Sequence, residues 1–359
     1  MSQLLPVVIT LGDPAGIGPE TIAMAFRDAP DVTQGCFVAG DVAVIRRAVA
    51  AISTDELSLP VALIEHPLEA LTAPPRCIPV LQVPTIRNQE QRIPTPWGLV
   101  NGFAGEMAAL CVVWAAQSAL KGEVAAMVTA PLHKEALAAA GEPHSLYPGH
   151  TEMLQAQAAA FLGQSLAEVP VRMMLANDEL RVVLVSIHMS LRDAIAAVTF
   201  DNVLQTLRIT HTALSAVLGR SPNIGVAGLN PHAGEGGLFG YEEIEAIAPA
   251  VGAACAEGIQ AQGPFAPDTV FMRARAKGGR ESEVREFDVV VAMYHDQGLI
   301  PVKYLGVETG VNVTLGLPLI RTSPDHGTAF DIAGQGIADP RSLVAAIRMA
   351  RKLAIRYPR

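Results

Sequence analysis

Charge is scarce in this sequence. Asp, Glu, Lys and Arg supply 17% of its 359 residues, while half of the residues are hydrophobic; ordinary soluble domains carry about 25% charged residues. So much apolar surface has to be hidden inside the chain or between copies of it, and an oligomer is expected. The net charge of -9 is not broken by a basic stripe, a polybasic arm or an RNA-binding aromatic motif, which argues against nucleic acid as a partner. Cysteine is sparse too. Cys36, Cys77, Cys111 and Cys255 lie far apart with no CxxC pair, which excludes a disulfide framework and suits buried thiols in a reducing compartment, so a cytoplasmic protein is expected. Long apolar runs are also missing: the cleanest, Met107 to Ala116, falls short of the roughly 20 residues that span a bilayer. The opening MSQLLPVVITLGDPAG lacks a basic n-region and a long apolar segment, and reads as a strand and a Gly/Pro turn. Neither membrane nor export is expected.

What the sequence does contain is an alternation of short β-rich runs with helical stretches. Strands are expected near 5–11, 36–39, 124–129, 171–175, 181–187, 223–227, 288–294 and 311–315. Helices are signalled by Pro19, by Asp41, by 99–120, 151–162, 201–218 and 241–257, and by Asp339-Pro340 opening a basic terminal helix. This order implies an α/β protein with largely parallel sheets, and the length implies about two domains. The Pro-dotted stretch 60–96 reads as an irregular wall and the charged 273–286 as a surface loop.

In open α/β sheets ligands bind beyond the carboxyl ends of the strands, and three histidines stand there. His188 ends LRVVLVSIH, His232 follows IGVAGLNPH, and His295 follows VVVAMYH. Each alone is most simply a hydrogen-bonded structural residue. Three in the same setting suggest neutral imidazoles meeting around a divalent ion, zinc first for a nitrogen-rich site, with Mg, Co or Mn as alternatives. Asp296, and Asp268 in GPFAPDTVF, are candidate carboxylates to orient the ligands, the plain alternative being turn or helix-cap residues.

A second group of residues suits an anion. In YPGHTE, His150 and Thr151 follow Gly149 at the start of a helix, where free N–H groups attract phosphate or carboxylate. Lys303, Asn312 and Arg321 punctuate VKYLGVETGVNVTLGLPLIRTS, and Arg321 has the fork to grip an oxyanion. Two glycine-bearing loops complete the picture: ITLGDPAGIGPE, with Gly12 and Gly16, and HGTAFDIAGQGIADP, with His326, Gly327, Thr328 and Asp331. The first is neither a phosphate loop nor a dinucleotide fingerprint, so it says only that backbone approaches something closely; loops of the second kind can wrap a nucleotide, a plain connection being the commoner use.

Together GDPAGIGPE, TAPLHKEAL, PGHTE, GLNPHAGEGG, AMYHDQG, GVNVTLGLPLIRTSPDHGTA and DIAGQG resemble, in order from about residue 7 to about residue 350, the motifs of the 4-hydroxythreonine-4-phosphate dehydrogenase family of pyridoxal phosphate (vitamin B6) biosynthesis. The first and last also resemble pieces of isocitrate and isopropylmalate dehydrogenases, whose similar loop holds the adenosine of the cofactor. The resemblance implies two α/β/α domains of that fold, a first on the nucleotide side from 1–130 and 300–359 and a second on the metal and dimer side from 131–299. It implies a homodimer with shared active sites in the interdomain cleft. It carries His188, His232 and His295 over as metal ligands completed across the interface, and His150, Thr151, Lys303, Asn312 and Arg321 as substrate-binding residues. Asp268 and Asp296 match carboxylates that order the site, and Lys303 or Asp296 is the candidate general base. The loop pairs Gly12, Gly16 and His326, Gly327, Thr328, Asp331 would bind NAD or NADP.

The reaction implied is metal-assisted oxidation of 4-phosphohydroxy-L-threonine at C3 to 2-amino-3-oxo-4-phosphobutanoate, which decarboxylates to 3-amino-2-oxopropyl phosphate. Two departures bear on this. IHMSLRD (187–193) stands where THLPLRD is usual, and 273–286 looks longer than the family's loop. Relatives that oxidise phosphorylated erythronate or threonate, or an aromatic dihydrodiol carboxylate, are the alternatives within the family. Outside it, a zinc-dependent hydrolase or a solute-binding protein would share the architecture.

Overall fold

The computed structural model describes residues 4–53, 58–84, 95–276 and 285–356. Twelve strands follow in chain order: β1 (Val7–Thr10), β2 (Cys36–Gly40), β3 (Val61–Ile64), β4 (Ile78–Gln82), β5 (Ala126–Thr129), β6 (Arg172–Ala176), β7 (Arg181–Leu184), β8 (Ile224–Ala227), β9 (Ala261–Phe265), β10 (Val289–Ala292), β11 (Val311–Leu315) and β12 (Arg321–Pro324). The chain divides into two compact units, Met1–Pro170 with Leu317–Ile355, and Val171–Gly316.

In the first unit the strands run β3-β4-β2-β1-β5-β12, and every pairing between them is parallel. β1, β2 and β5 are buried along their whole length, because helices cover both faces and leave no solvent side on which polar residues would alternate. Helix Gly18–Asp28 starts with Pro19, whose missing N–H costs nothing in a first turn. Asp41 caps helix Val42–Ile52 by accepting from Ala43 N and Val44 N. Helix Gly102–Leu120 is long and apolar enough to cross a membrane by length and composition, yet 61% of its apolar window is buried inside the unit. It packs on β1, β2 and β5 and against helices Lys134–Ala139 and His150–Leu162, so its hydrophobicity belongs to the core.

In the second unit the order is β11-β6-β7-β10-β8-β9. β6 is antiparallel to both neighbours, and β7, β10, β8 and β9 run parallel. Leu184, Val182, Phe287, Val290 and Leu299 pack in its core. Helix His295–Gly306 lies on β7 only because residue 298 is glycine: a Cβ there would stand 2.5 Å from Leu184 Cδ2 and 2.7 Å from Val182 Cγ1.

All eight expected strands form. Four more, β3, β4, β9 and β12, escaped sequence reading, and proline is the reason. The stretch 60–96 is no irregular wall over its described part: it holds β3 and β4, and β4 keeps Pro79 inside the ladder opposite Ala62, where proline argues against a strand. Most of 273–286 lies outside the described residues.

The unit boundaries also differ from 130/131 and 299/300. Residues 131–170 belong with the first unit because glycines on helix Gly102–Leu120 let the following segment lie directly on it; a Cβ at Gly105 would fall 2.0 Å from Ala136 O. Residues 300–316 belong with the second, since β11 pairs with β6 along five residues.

Candidate active site

In the second unit, parallel strands β7, β10 and β8 lie side by side, so their carboxyl ends share one edge, with neighbouring strands about 4.8 Å apart. His188 follows β7 and His295 opens the helix after β10. Their ring centroids are 5.7 Å apart. Two imidazoles on one tetrahedral ion, with metal–nitrogen bonds of about 2.0–2.1 Å, place their centroids roughly 5–6 Å apart, so the pair has the separation that one divalent ion requires. His295 Nδ1 lies 2.7 Å from Asp296 Oδ1. That bond engages Nδ1 and leaves Nε2 as the ring nitrogen that could take an ion, with Asp296 placed as an orienting carboxylate would be. Ser186 Oγ donates to Met293 O at 2.9 Å, tying the two strand ends together. The pair faces an open cavity of about 540 Å³ lined by residues 186–191, Ala194, Tyr294, His295 and Asp296.

His232 stands apart from this pair. It lies after β8 in a turn where His232, Ala233, Gly234, Glu235 and Gly236 all have φ between 44° and 79°. Three of these are not glycine, and such backbone costs about 1–2 kcal/mol per residue. Glu243 holds the turn: its Oε1 accepts from Leu229 N and Asn230 N, both at 2.7 Å. His188 is left-handed as well, with φ 41°. Strained backbone of this kind gathers at functional sites. Among the described residues, no three His, Cys, Asp or Glu side chains are grouped closely enough to hold a metal, so one chain assembles the His188–His295 pair and not the trio. Gln297 links the two regions: its Nε2 donates to Gly228 O and its Oε1 accepts from Met293 N, both at 2.7 Å.

Asp268 is exposed in the first turn of helix Pro267–Ala274 and Lys303 is exposed on helix His295–Gly306; neither lines the cavity. Asn312 is half-buried on β11 opposite Leu175.

In the first unit a cation is sunk into the protein. Arg321, at the start of β12, is 4% exposed, and its Nε and Nη2 donate to Thr129 Oγ1 at 3.0 and 2.7 Å. Burial pulls its pKa down to about 10 against the opposing charge of Glu152. His150 opens helix His150–Leu162, whose cap residue Gly149 provides no side chain for the free N–H groups; Thr151 and Glu152 follow in the same turn. The His150 ring is held neutral: burial, then the Arg321 charge, push its pKa well below the imidazole range, against a hydrogen bond with the Ala130 backbone. Its Nε2 is buried without a partner. A desolvated guanidinium, a neutral imidazole and an open helix start together suit a phosphate or carboxylate.

The two glycine loops meet in this unit. Ile17 N donates to Thr328 O at 3.0 Å and Gly98 N to Ala15 O at 2.8 Å. Gly12 has φ 72° and a Cβ there would stand 2.6 Å from Pro131 O, while one on Gly16 would stand 2.8 Å from Thr328 O. These two glycines are accounted for by loop-on-loop packing. Gly327 is different: a Cβ would touch nothing, His326 Nε2 beside it is buried without a partner, and Thr328 is buried while Asp331 is exposed. Gly327 is exposed with open space around it, so backbone there is accessible to a ligand.

Sequence reading passed over several residues that build this end of the sheet. Glu20 is fully buried and accepts from Gly334 N and, at 3.1 Å, Gly336 N. Asp13 is fully buried, with Oδ1 accepting from Ala15 N at 2.8 Å and Oδ2 unpartnered. His133 stacks on Phe330 with centroids 4.5 Å apart. All three sit inside quoted motifs, but no spacing rule assigns them a task.

The fold is that of an α/β enzyme, and these clusters bring two imidazoles together at the strand ends of one unit and a buried guanidinium near an imidazole in the other. The family model for the pyridoxal phosphate biosynthetic protein PdxA matches residues 32–350. A 4-hydroxythreonine-4-phosphate dehydrogenase of Beijerinckia indica is 48% identical over 353 residues, covering 98% of this chain and 96% of that one. A D-threonate 4-phosphate dehydrogenase of Pectobacterium atrosepticum is 43% identical over 350 residues, covering 97% and 99%. A crystal structure of 4-hydroxythreonine-4-phosphate dehydrogenase from Klebsiella pneumoniae superposes with a TM-score of 0.81 at 40% identity, covering 98% of this chain and 99% of that one. The chain belongs to the PdxA family, a family of metal-dependent dehydrogenases.

Proposed function

We propose that this protein oxidises 4-phosphohydroxy-L-threonine at C3 with NAD or NADP and a divalent metal, zinc in first place. The product, 2-amino-3-oxo-4-phosphobutanoate, loses carbon dioxide to give 3-amino-2-oxopropyl phosphate for pyridoxal phosphate synthesis. The observation that carries this reading is the His188–His295 pair at 5.7 Å in a chain of this family. Bound metal and nucleotide would supply Lewis acidity and a hydride acceptor. The chain's part is to hold and orient. His188 and His295 take the metal, with His232 supplied across a homodimer interface, and Asp296 fixes the His295 ring. Arg321, His150 and Thr151 take the phosphate; Lys303 and Asn312 serve the carboxylate end, and Asp268 orders the site. Lys303 or Asp296 is the base that receives the alcohol proton. His326, Gly327, Thr328 and Asp331 line the nucleotide, on a loop that Gly16 packs beneath, with Gly12 opening the same turn. Leu238, Phe239, Tyr241 and Ile244, each at least half exposed beside the His232 turn, support a dimer that covers them. Four unpaired thiols, three of them buried, support a cytoplasmic setting.

His232→Ala is expected to abolish turnover and lower bound zinc, since two imidazoles hold it less firmly. Full activity with unaltered zinc content would refute the ligand assignment. A relative that acts on D-threonate 4-phosphate at 43% identity supports that substrate as the second reading. Absorbance at 340 nm with 4-phosphohydroxy-L-threonine, D-threonate 4-phosphate, D-erythronate 4-phosphate and an aromatic dihydrodiol, each with both nucleotides, ranks them. The hydrolase and solute-binding readings have no support in a family of dehydrogenases.

A further inference from the structure

We propose that Thr129 is a positioning and binding residue for the substrate's phosphate: its hydroxyl clamps the Arg321 guanidinium and turns its own O–H toward the anion that Arg321 receives. This rests on the assignment of the phosphate to Arg321. Thr129 ends β5 and is 0% exposed. The parallel register sets Arg321 beside Met127 and Thr322 beside Val128, so the arginine side chain has to run forward along β5 to reach the strand end. There Nε and Nη2 both donate to the one hydroxyl oxygen, at 3.0 and 2.7 Å.

A threonine hydroxyl has two lone pairs and one proton. With both lone pairs taken by one guanidinium, the proton is left to donate, and among the described residues no acceptor receives it. His150, at the start of its helix, is close by: its ring hydrogen-bonds the backbone of Ala130, the residue after Thr129, and feels the Arg321 charge, and its Nε2 is buried without a partner. The chemistry of the clamp matters as much as its geometry. A carboxylate in this place would fix Arg321 equally well but would add a second negative charge to that of Glu152; a neutral hydroxyl orients the fork without opposing an incoming dianion. The same hydroxyl then adds a donor of its own.

Inorganic phosphate binding by calorimetry and steady-state kinetics with 4-phosphohydroxy-L-threonine, on the metal-loaded full chain, test this with four variants. Thr129→Val keeps the shape and removes the hydroxyl. It is expected to weaken phosphate about 10- to 100-fold and to raise KM by a similar factor with kcat within about 3-fold, the signature of binding lost equally from ground and transition states. Thr129→Ser is expected to stay within about 3-fold of the parent in both. Should the valine variant not fold, Thr129→Ala makes the same comparison. Arg321→Ala separates the two layers: if it binds phosphate like the parent, the phosphate assignment itself fails. If Arg321→Ala loses phosphate while Thr129→Val keeps parental affinity and KM, or if Thr129→Ser is as weak as Thr129→Val, the role given to the hydroxyl is overturned.

Discussion

Replacing Asp13 by Asn should change how stability depends on pH, and the size of the effect follows from where the carboxyl lies. Asp13 is fully buried at the end of β1, and burial raises its pKa from 3.8 to about 6, against the Ala15 N–H and the charge of His133, which both lower it. Between those values the folded chain still holds a proton that the unfolded chain has released. Stability is therefore greatest below the unfolded pKa, falls as pH rises through the window, and levels off above about 6. The full loss is about 3 kcal/mol, and about 2 kcal/mol of it falls between pH 4.5 and 7.5. The asparagine keeps an oxygen for Ala15 N and has no such proton to lose. Urea unfolding followed by tryptophan fluorescence isolates the effect, since the two tryptophans, Trp97 and Trp114, both belong to the first unit. The parent should lose about 2 kcal/mol relative to Asp13→Asn over that range. Parallel curves for the two proteins would show that the carboxyl titrates as in water and would refute the reasoning.

Two further perturbations address the architecture around the sites. Glu20→Ala strips the acceptor from Gly334 N and Gly336 N; a cost of about 2–4 kcal/mol is expected in the same unfolding assay, with a raised KM for nucleotide and an unchanged KM for the phosphorylated substrate. Gly298→Ala forces a methyl against Val182 and Leu184 and should cost about 1–3 kcal/mol, read as a fall in melting temperature together with a loss of bound zinc as helix His295–Gly306 lifts off β7.

The α/β class was legible because buried parallel strands write themselves as unbroken apolar runs: VVIT, CFVAG and AMVT need no context. β4 was not, because Pro79 in IPVLQ is tolerated only through its particular place in the ladder. Of the three histidines, one pair's proximity was legible. Strand ends single out His188 and His295, and the order β7-β10-β8 explains why they adjoin, but nothing in the spacing says that His232 would sit in a run of five left-handed residues. Arg321 was legible as a charge in an apolar segment. Its clamp was not, since the hydroxyl that holds it lies 192 residues earlier and the parallel pairing of β12 with β5 is a long-range fact. Nothing in the sequence marks Glu20 and Asp13 as the buried acids that they are.

The interrupted course of the first unit has a consequence for how the molecule comes into being. Synthesis delivers β1 to β5 early, yet β12 is withheld until the whole of Val171–Gly316 has left the ribosome. Domains generally fold as units while the chain emerges, so the inserted unit can bury its core while its host still lacks its last strand. The Arg321–Thr129 clamp is thus among the last parts to be assembled, when Arg321 arrives beside a threonine made long before.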